Sequence, residues 1–275
     1  MAPTDEFHDV TRRITRVEQD IRPSSPHPRR PNVPQSLADR MAILQVPGVS
    51  IAVIADGRVD WARGHGVRQA GRPAPVTPET LFQAASISKP ITALAVMRLV
   101  DDGTLHLDED VNRYLTSWRV PANDGWQPRL TLRHLLSHTG GTTVHGFPGY
   151  GHAAALPTVR QILDGEAPAN TGAVRVNGLP GVQVRYSGGG TTIVQQLLED
   201  TVGLPFPTLM HDLVLQPLGM SQSTYEQPLP ANRHADAAVG HRTEGSPANP
   251  RRVFQHGLEN WLKLARRARN DLEHL

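Results

Sequence analysis

The sequence predicts an α+β fold, an antiparallel sheet packed with a helical lobe. Two observations carry that prediction. Residues 49–54, Val-Ser-Ile-Ala-Val-Ile, and residues 59–64 flank Asp56-Gly57, a dipeptide that favours a two-residue hairpin turn between antiparallel strands. From residue 86 onward the pattern is mostly helical, with long loops between apolar segments at 86–100 and 191–201.

Composition sets the outer limits. A chain of 275 residues with 38% hydrophobic content can bury a sizeable core, as one domain or as a two-lobed enzyme. A formal net charge of +2 is too small an excess to argue for nucleic acid, and no nucleic-acid-binding motif accompanies it. There is no cysteine, which excludes disulfides, a thiol nucleophile and Cys-ligated zinc. The start, Met1-Ala2-Pro3-Thr4-Asp5-Glu6, lacks the apolar stretch of a secretory signal. No window reaches membrane-spanning length. The expectation is a cytoplasmic protein without stable membrane insertion.

Taken in order, residues 5–21 place Val10, Ile14, Val17 and Ile21 on one helical stripe. Residues 22–34 carry Pro23, Pro26, Pro28, Pro31 and Pro34 with Arg22, Arg29 and Arg30, the composition of a stiff basic linker. Residues 1–35 are therefore read as a helix and linker ahead of the main domain, residues 36–250. Ser36 is placed to cap a helix that turns Leu37, Met41 and Leu44 inward. Pro47-Gly48 stops it before the hairpin. Gly64-His65-Gly66 is a fragment of a nucleotide fingerprint, but Gln69 stands at the third glycine position, so it is set aside.

Ser86-Ile87-Ser88-Lys89 opens the next helix. Pro90 is tolerated in the first turn, and Gly103 is placed to end the helix. Ser86 and Lys89 are three apart and share one face of the helix start. A serine hydroxyl is a poor nucleophile until a neighbouring base takes its proton. A lysine is such a base only when its surroundings keep it neutral. On this spacing alone, a capping serine and a surface lysine one turn on is the commoner reading.

Further along, Thr131 is placed to cap a short helix carrying Leu132, Leu135 and Leu136. His134 and His138 have metal-ligand spacing, but no glutamate base and no third ligand accompany them, so no metal is expected. The loop over 140–157 holds five glycines with His145 and His152, either a pocket lining or a surface loop. Val159, Ile162 and Leu163 suggest a short helix ending near Gly165. Residues 182–186, Val-Gln-Val-Arg-Tyr, alternate like a strand that delivers Tyr186.

These segments occur in a telling order. Thr80-Leu81-Phe82 precedes Ser86-Ile87-Ser88-Lys89; then come Leu135-Leu136-Ser137-His138-Thr139-Gly140-Gly141 and Tyr186-Ser187. Residues 105–111 and Gln216-Pro217-Leu218-Gly219-Met220 fit as well. Together they resemble the serine β-lactamase and penicillin-binding-protein superfamily, nearest its class C and esterase-like branch, over about residues 36–245. The resemblance implies a β-lactamase-like fold with an active site between lobes and no cofactor. It implies a serine hydrolase acting on a small ester, amide or peptide through an acyl-enzyme. Ser86 would attack, Lys89 and Tyr186 would manage its proton, and the Ser86 N–H would supply half of the oxyanion hole.

The resemblance also marks departures. Gly188 stands where lactamases carry an amide that holds the substrate carbonyl, which favours an esterase-like member. The family's third element is a strand bearing Lys-Thr-Gly or His-x-Gly. Phe254-Gln255-His256-Gly257-Leu258-Glu259-Asn260 looks like an altered form of it, with Leu258 where a glycine is usual. His256, Gly257 and Gly188 are the candidate substrate-binding residues. Residues 251–275 read either as this altered element or as a helix carrying Leu258, Leu262, Ala265 and Leu272 on one face. The sheet is thus expected to be incomplete. The alternative function is a catalytically impaired member kept as a binding module. Oligomeric state is left open.

Overall fold

The computed structural model describes residues 3–22, 33–150, 154–241 and 261–262. Most of the proline-rich linker, His256, Gly257 and most of the tail lie outside the described residues. The chain divides into two units. Of the described residues, one contains those up to Leu81 with 236–241; the other runs from Phe82 to Ala235 and includes Trp261 and Leu262.

The first unit begins with α1 (Pro3–Gln19) and α2 (Leu37–Ile43). Ile14 is buried, as the stripe predicts, while Val17 is more than a third exposed. The Arg13 guanidinium reaches both oxygens of Asp60 at 2.8 and 2.9 Å. Ile21 and Gln35 exchange backbone hydrogen bonds of 3.0 Å, which closes the two ends of the linker on each other. The Ser36 hydroxyl caps α2 by accepting the Asp39 N–H. Leu37 is buried, but Leu44, expected to face inward, is exposed. The helix stops at Ile43, so Leu44 leaves the stripe as the capping residue.

Strands β1 (Gly48–Ala55) and β2 (Arg58–Gly66) form the expected antiparallel hairpin, pairing from Gly48 opposite Gly66 to Ala55 opposite Arg58 with a one-residue register shift between Val53 and Ile54. Asp56 and Gly57 take φ of 49° and 71°. Both central residues are left-handed, as a turn matched to the twist of the strands requires. At the end of this unit Leu81 donates to Asp236 O and accepts from Ala238 N, both at 2.9 Å.

The second unit starts with β3 (Phe82–Gln83), paired antiparallel with the two-residue β4 (Trp261–Leu262). A helical reading of the tail therefore does not hold at residues 261 and 262, which are extended. A 3₁₀ turn, Ala85–Ile87, leads into α3 (Ser88–Asp101), and Gly103 follows at φ 80°. Helices α4 (Leu132–Leu136), α5 (Val159–Asp164), α6 (Gly188–Val202) and α7 (Phe206–Met210) follow, the last continued by a π-helical turn, His211–Leu215. Thr131 caps α4 as expected, and Gly165 ends α5 in the left-handed conformation.

α6 is the centre of this unit. Every residue from Gly188 to Leu198 is buried, the pattern of a helix surrounded by core rather than lying on a surface. Ile193, Val194, Leu197 and Leu198 join Val96 and Leu99 of α3, Leu132 and Leu135 of α4, and Leu209 and Met210 of α7 in one cluster. The segment between α3 and α4 is drawn onto it through Leu105, Val111, Leu115 and Leu130. Asp200 holds that segment by accepting the N–H groups of Thr116 and Ser117 at 2.7 and 2.9 Å. No helix among the described residues is long and apolar enough to cross a membrane.

Two further readings of the sequence differ from this architecture. Residues 182–186 form no strand, and Val182 and Val184 are exposed. Among the described residues no partner strand pairs with their alternation to bury it. α6 begins at Gly188, three residues before the expected start, because Ser187 caps it through the Gly190 N–H. Its glycines are needed there. A Cβ on Gly189 would sit 2.7 Å from the Thr143 carbonyl oxygen and 2.9 Å from a Val174 methyl. Gly189→Ala is therefore expected to lower stability in urea unfolding by about 1–3 kcal/mol through overpacking. Gly146→Ala, which meets nothing within 4 Å, is expected to stay within about 0.5 kcal/mol of the parent.

Candidate active site

The 3₁₀ turn that carries Ser86 exists because Ala85 adopts φ 47°. A left-handed alanine costs about 1–2 kcal/mol, and here it turns the chain so that Ser86 is exposed at the entrance to α3. Lys89 follows in the first turn of the helix, partly buried. Its Nζ donates to Ser86 Oγ at 3.0 Å. The spacing of three residues thus produces the contact that the sequence suggested.

Tyr186 arrives one hundred residues later. Its hydroxyl lies 2.7 Å from Ser86 Oγ, and Lys89 Nζ lies 4.8 Å from the centre of its ring. One serine oxygen is therefore shared by an amine and a phenol, each within proton-transfer distance. Tyr186 is 44% exposed, so an incoming substrate can reach this residue.

The first turn of α3 is held from beneath. Tyr225 is buried, and its hydroxyl donates to Ser88 O at 2.9 Å. Thr92 Oγ1 donates to the same carbonyl at 3.0 Å. The Tyr225 ring packs edge-on against Phe206, with centroids 5.4 Å apart. Burial raises the Tyr225 pKa far above its ordinary value, so this phenol remains a donor and takes no part in proton transfer. Its only forewarning was its place five residues after Gln216-Pro217-Leu218-Gly219-Met220.

The Tyr186 corner is held by the loop after α4. His138 has φ 57°, its carbonyl accepts the Arg185 N–H at 2.7 Å, and its ring lies 4.5 Å from that of Tyr186. His145 Nδ1 lies 2.5 Å from the Tyr186 carbonyl oxygen. Gly188 is buried in the first turn of α6, where its N–H donates to His145 O at 3.2 Å. The structure therefore brings Ser86, Lys89 and Tyr186 together and places Gly188 close behind in sequence, with its backbone donor already engaged. His256 and Gly257 lie outside the described residues. Among those described, no group of three metal-ligating side chains comes together. The contact of His145 with Tyr186 had no local signature in the sequence.

Comparisons with known proteins place this geometry in context. A family profile described as Beta-lactamase matches residues 33–266. Esterase EstB from Burkholderia gladioli is 34% identical over 180 residues, covering 62% of this chain and 45% of the relative. The octameric penicillin-binding protein homologue from Pyrococcus abyssi superposes with a TM-score of 0.66 at 28% identity, covering 83% of this chain and 52% of that one. A β-lactamase/D-alanine carboxypeptidase from Yersinia pestis superposes with a TM-score of 0.62 at 24% identity, covering 82% of this chain and 62% of that one. The chain thus spans about half the length of the proteins it matches.

The two histidines of the α4 region give a pH signature. Burial lowers the pKa of His138 and of His134 below the ordinary 6.5, with Lys89 adding to the effect on His138 and Arg129 on His134. Each binds its proton less readily when folded than when unfolded. Their contribution to stability is present above pH 6.5 and declines as pH falls from there through the folded values. Urea unfolding at a series of pH values is expected to show that decline, and His138→Asn is expected to make it shallower. An unchanged slope in the variant contradicts the assignment.

Proposed function

Because this chain belongs to the β-lactamase family, we propose that it is a serine hydrolase that cleaves an ester or amide through an acyl-enzyme on Ser86, with small esters the preferred class. The observation that carries this reading is the shared Ser86 oxygen, 3.0 Å from Lys89 Nζ and 2.7 Å from Tyr186 Oη.

Ser86 Oγ attacks the carbonyl carbon while its proton passes to the Lys89–Tyr186 pair. The Ser86 N–H faces the oxyanion that develops. The tetrahedral intermediate collapses, the leaving alcohol or amine takes a proton from Tyr186, and the acyl group stays on Ser86. Water then attacks the acyl carbon, gives its proton to the same pair, and releases the acid as Ser86 recovers its own.

Two features support the reading beyond geometry. Of the 28 cationic side chains, only Lys89 and Lys263 are lysines. An arginine cannot give up its proton at working pH, so it cannot serve as this base; the chain uses arginine almost everywhere else. The preference for esters rests on Gly188, which offers no side-chain amide for a lactam carbonyl, and on the likeness to an esterase.

The test is covalent labelling by a fluorophosphonate probe, read by intact mass. One adduct per chain is expected, absent in Ser86→Ala. Lys89→Arg replaces the base with a guanidinium that cannot give up its proton, and is expected to slow labelling at least about 100-fold, the usual scale of general-base catalysis. Absence of labelling in folded wild-type protein would overturn the reading in favour of a binding module.

A further inference from the structure

Tyr186 is poorly fixed by burial. The residue is 44% exposed, and Val182 and Val184 just before it are 74% and 72% exposed. Packing alone does not hold such a side chain in one place, because an exposed ring keeps much of its rotamer freedom. Yet its hydroxyl must stay on Ser86.

The backbone around it is tied at consecutive points. The carbonyl of His138 accepts the Arg185 N–H at 2.7 Å, and His138 Nδ1 accepts the Ser187 N–H at 3.4 Å. The residues on both sides of Tyr186 are thus joined to one histidine, whose ring packs against the tyrosine ring between them at 4.5 Å. The Tyr186 carbonyl faces His145 Nδ1 at 2.5 Å. A carbonyl only accepts, so that nitrogen carries the hydrogen. The His145 carbonyl in turn accepts the Gly188 N–H at 3.2 Å. Val144, beside it, takes φ 61°, a costly conformation for a β-branched residue. Its carbonyl accepts from Gly189 N at 2.9 Å and from Ser187 Oγ at 3.2 Å.

We propose that His138 and His145 are positioning residues that hold the Tyr186 hydroxyl against Ser86. The inference rests on the reading of Ser86 as nucleophile and Tyr186 as its proton carrier. Both histidines act through Tyr186. A displacement of a reacting group by about 1 Å is enough to cost up to 100-fold in rate.

The two ties differ in their response to pH. The His138 tie needs an unprotonated Nδ1 to accept from Ser187. The charged or titratable groups facing the His138 ring are Lys89 from α3 and Tyr186 from the segment before α6, and burial together with Lys89 keeps the ring neutral at neutral pH. Protonation would set one N–H against another. The His145 tie needs only a donor.

Two measurements test this. The first is carbon NMR of protein labelled at tyrosine Cζ, with the Tyr186 signal among the four tyrosines assigned by Tyr186→Phe. That signal is expected to move on acidification, with a midpoint below 6.5. His138→Asn, which tolerates the left-handed backbone and keeps an acceptor, is expected to abolish the movement. A signal that does not move in the parent, or still moves in the variant, overturns the role of His138. The second is the rate of fluorophosphonate labelling. His145→Ala is expected to slow it about tenfold or more, whereas His145→Asn, which restores a donor in place of Nδ1, is expected to stay within about threefold of the parent. Equal rates for His145→Ala and the parent overturn the role of His145. A parent that takes no label at all strikes the serine-hydrolase reading instead, while the NMR experiment still decides whether His138 acts on Tyr186.

Discussion

The Ser86 hydroxyl joins the starts of two helices. Lys89 reaches it from the first turn of α3, and Tyr186 reaches it from the residues just ahead of α6. Two hydrogen bonds of about 1 kcal/mol each are too weak to impose this arrangement on the chain. The arrangement is imposed on them. α6 is enclosed by core from Gly188 to Leu198. Ser187 caps it, and its first turn lies against Thr143 and Val174 so closely that only glycine fits. α3 is fixed on the other side by Tyr225, whose hydroxyl donates to Ser88 O. The two helix starts bring the backbones of the reactive groups together, and the loop after α4 contacts the exposed Tyr186 side chain and its carbonyl.

The same region carries backbone strain. Ala85, His138 and Val144 all adopt positive φ, and none is glycine. Each conformation costs energy that the rest of the unit must offset. Ala85 turns Ser86 outward, His138 contacts the Tyr186 ring, and Val144 presents its carbonyl to the α6 start. Of the six non-glycine residues with positive φ among those described, these three lie at the site. The large apolar cluster around Leu197 and Leu198 provides that reserve.

Much of this was legible in the sequence where the signal is local. Asp56-Gly57, Ser36, Thr131 and Gly165 act through their own backbone and its nearest neighbours, and each does what its chemistry dictates. The contact of Ser86 with Lys89 is likewise local. Tyr186 was found through the order of motifs rather than through any periodicity. Other features were hidden for physical reasons. Three successive glycines argue against a helix, since each costs about 1 kcal/mol relative to alanine, yet close packing demands them at the start of α6. The alternation at 182–186 looks like a strand, but strands need partners, and among the described residues none pairs with it. His145 and Tyr225 make contacts across 41 and 137 residues. No pattern within a short window records such a contact.

The central claim is that acyl transfer runs through Ser86 under the control of Lys89 and Tyr186. The most direct measurement is acid quenching during turnover of an activated acetyl ester, followed by peptide mapping of the acetyl group. The account predicts acetylation of Ser86 and of no other residue, with turnover abolished in Ser86→Ala. An acetyl group mapped to a different side chain, or turnover in Ser86→Ala at the parent rate, would contradict it.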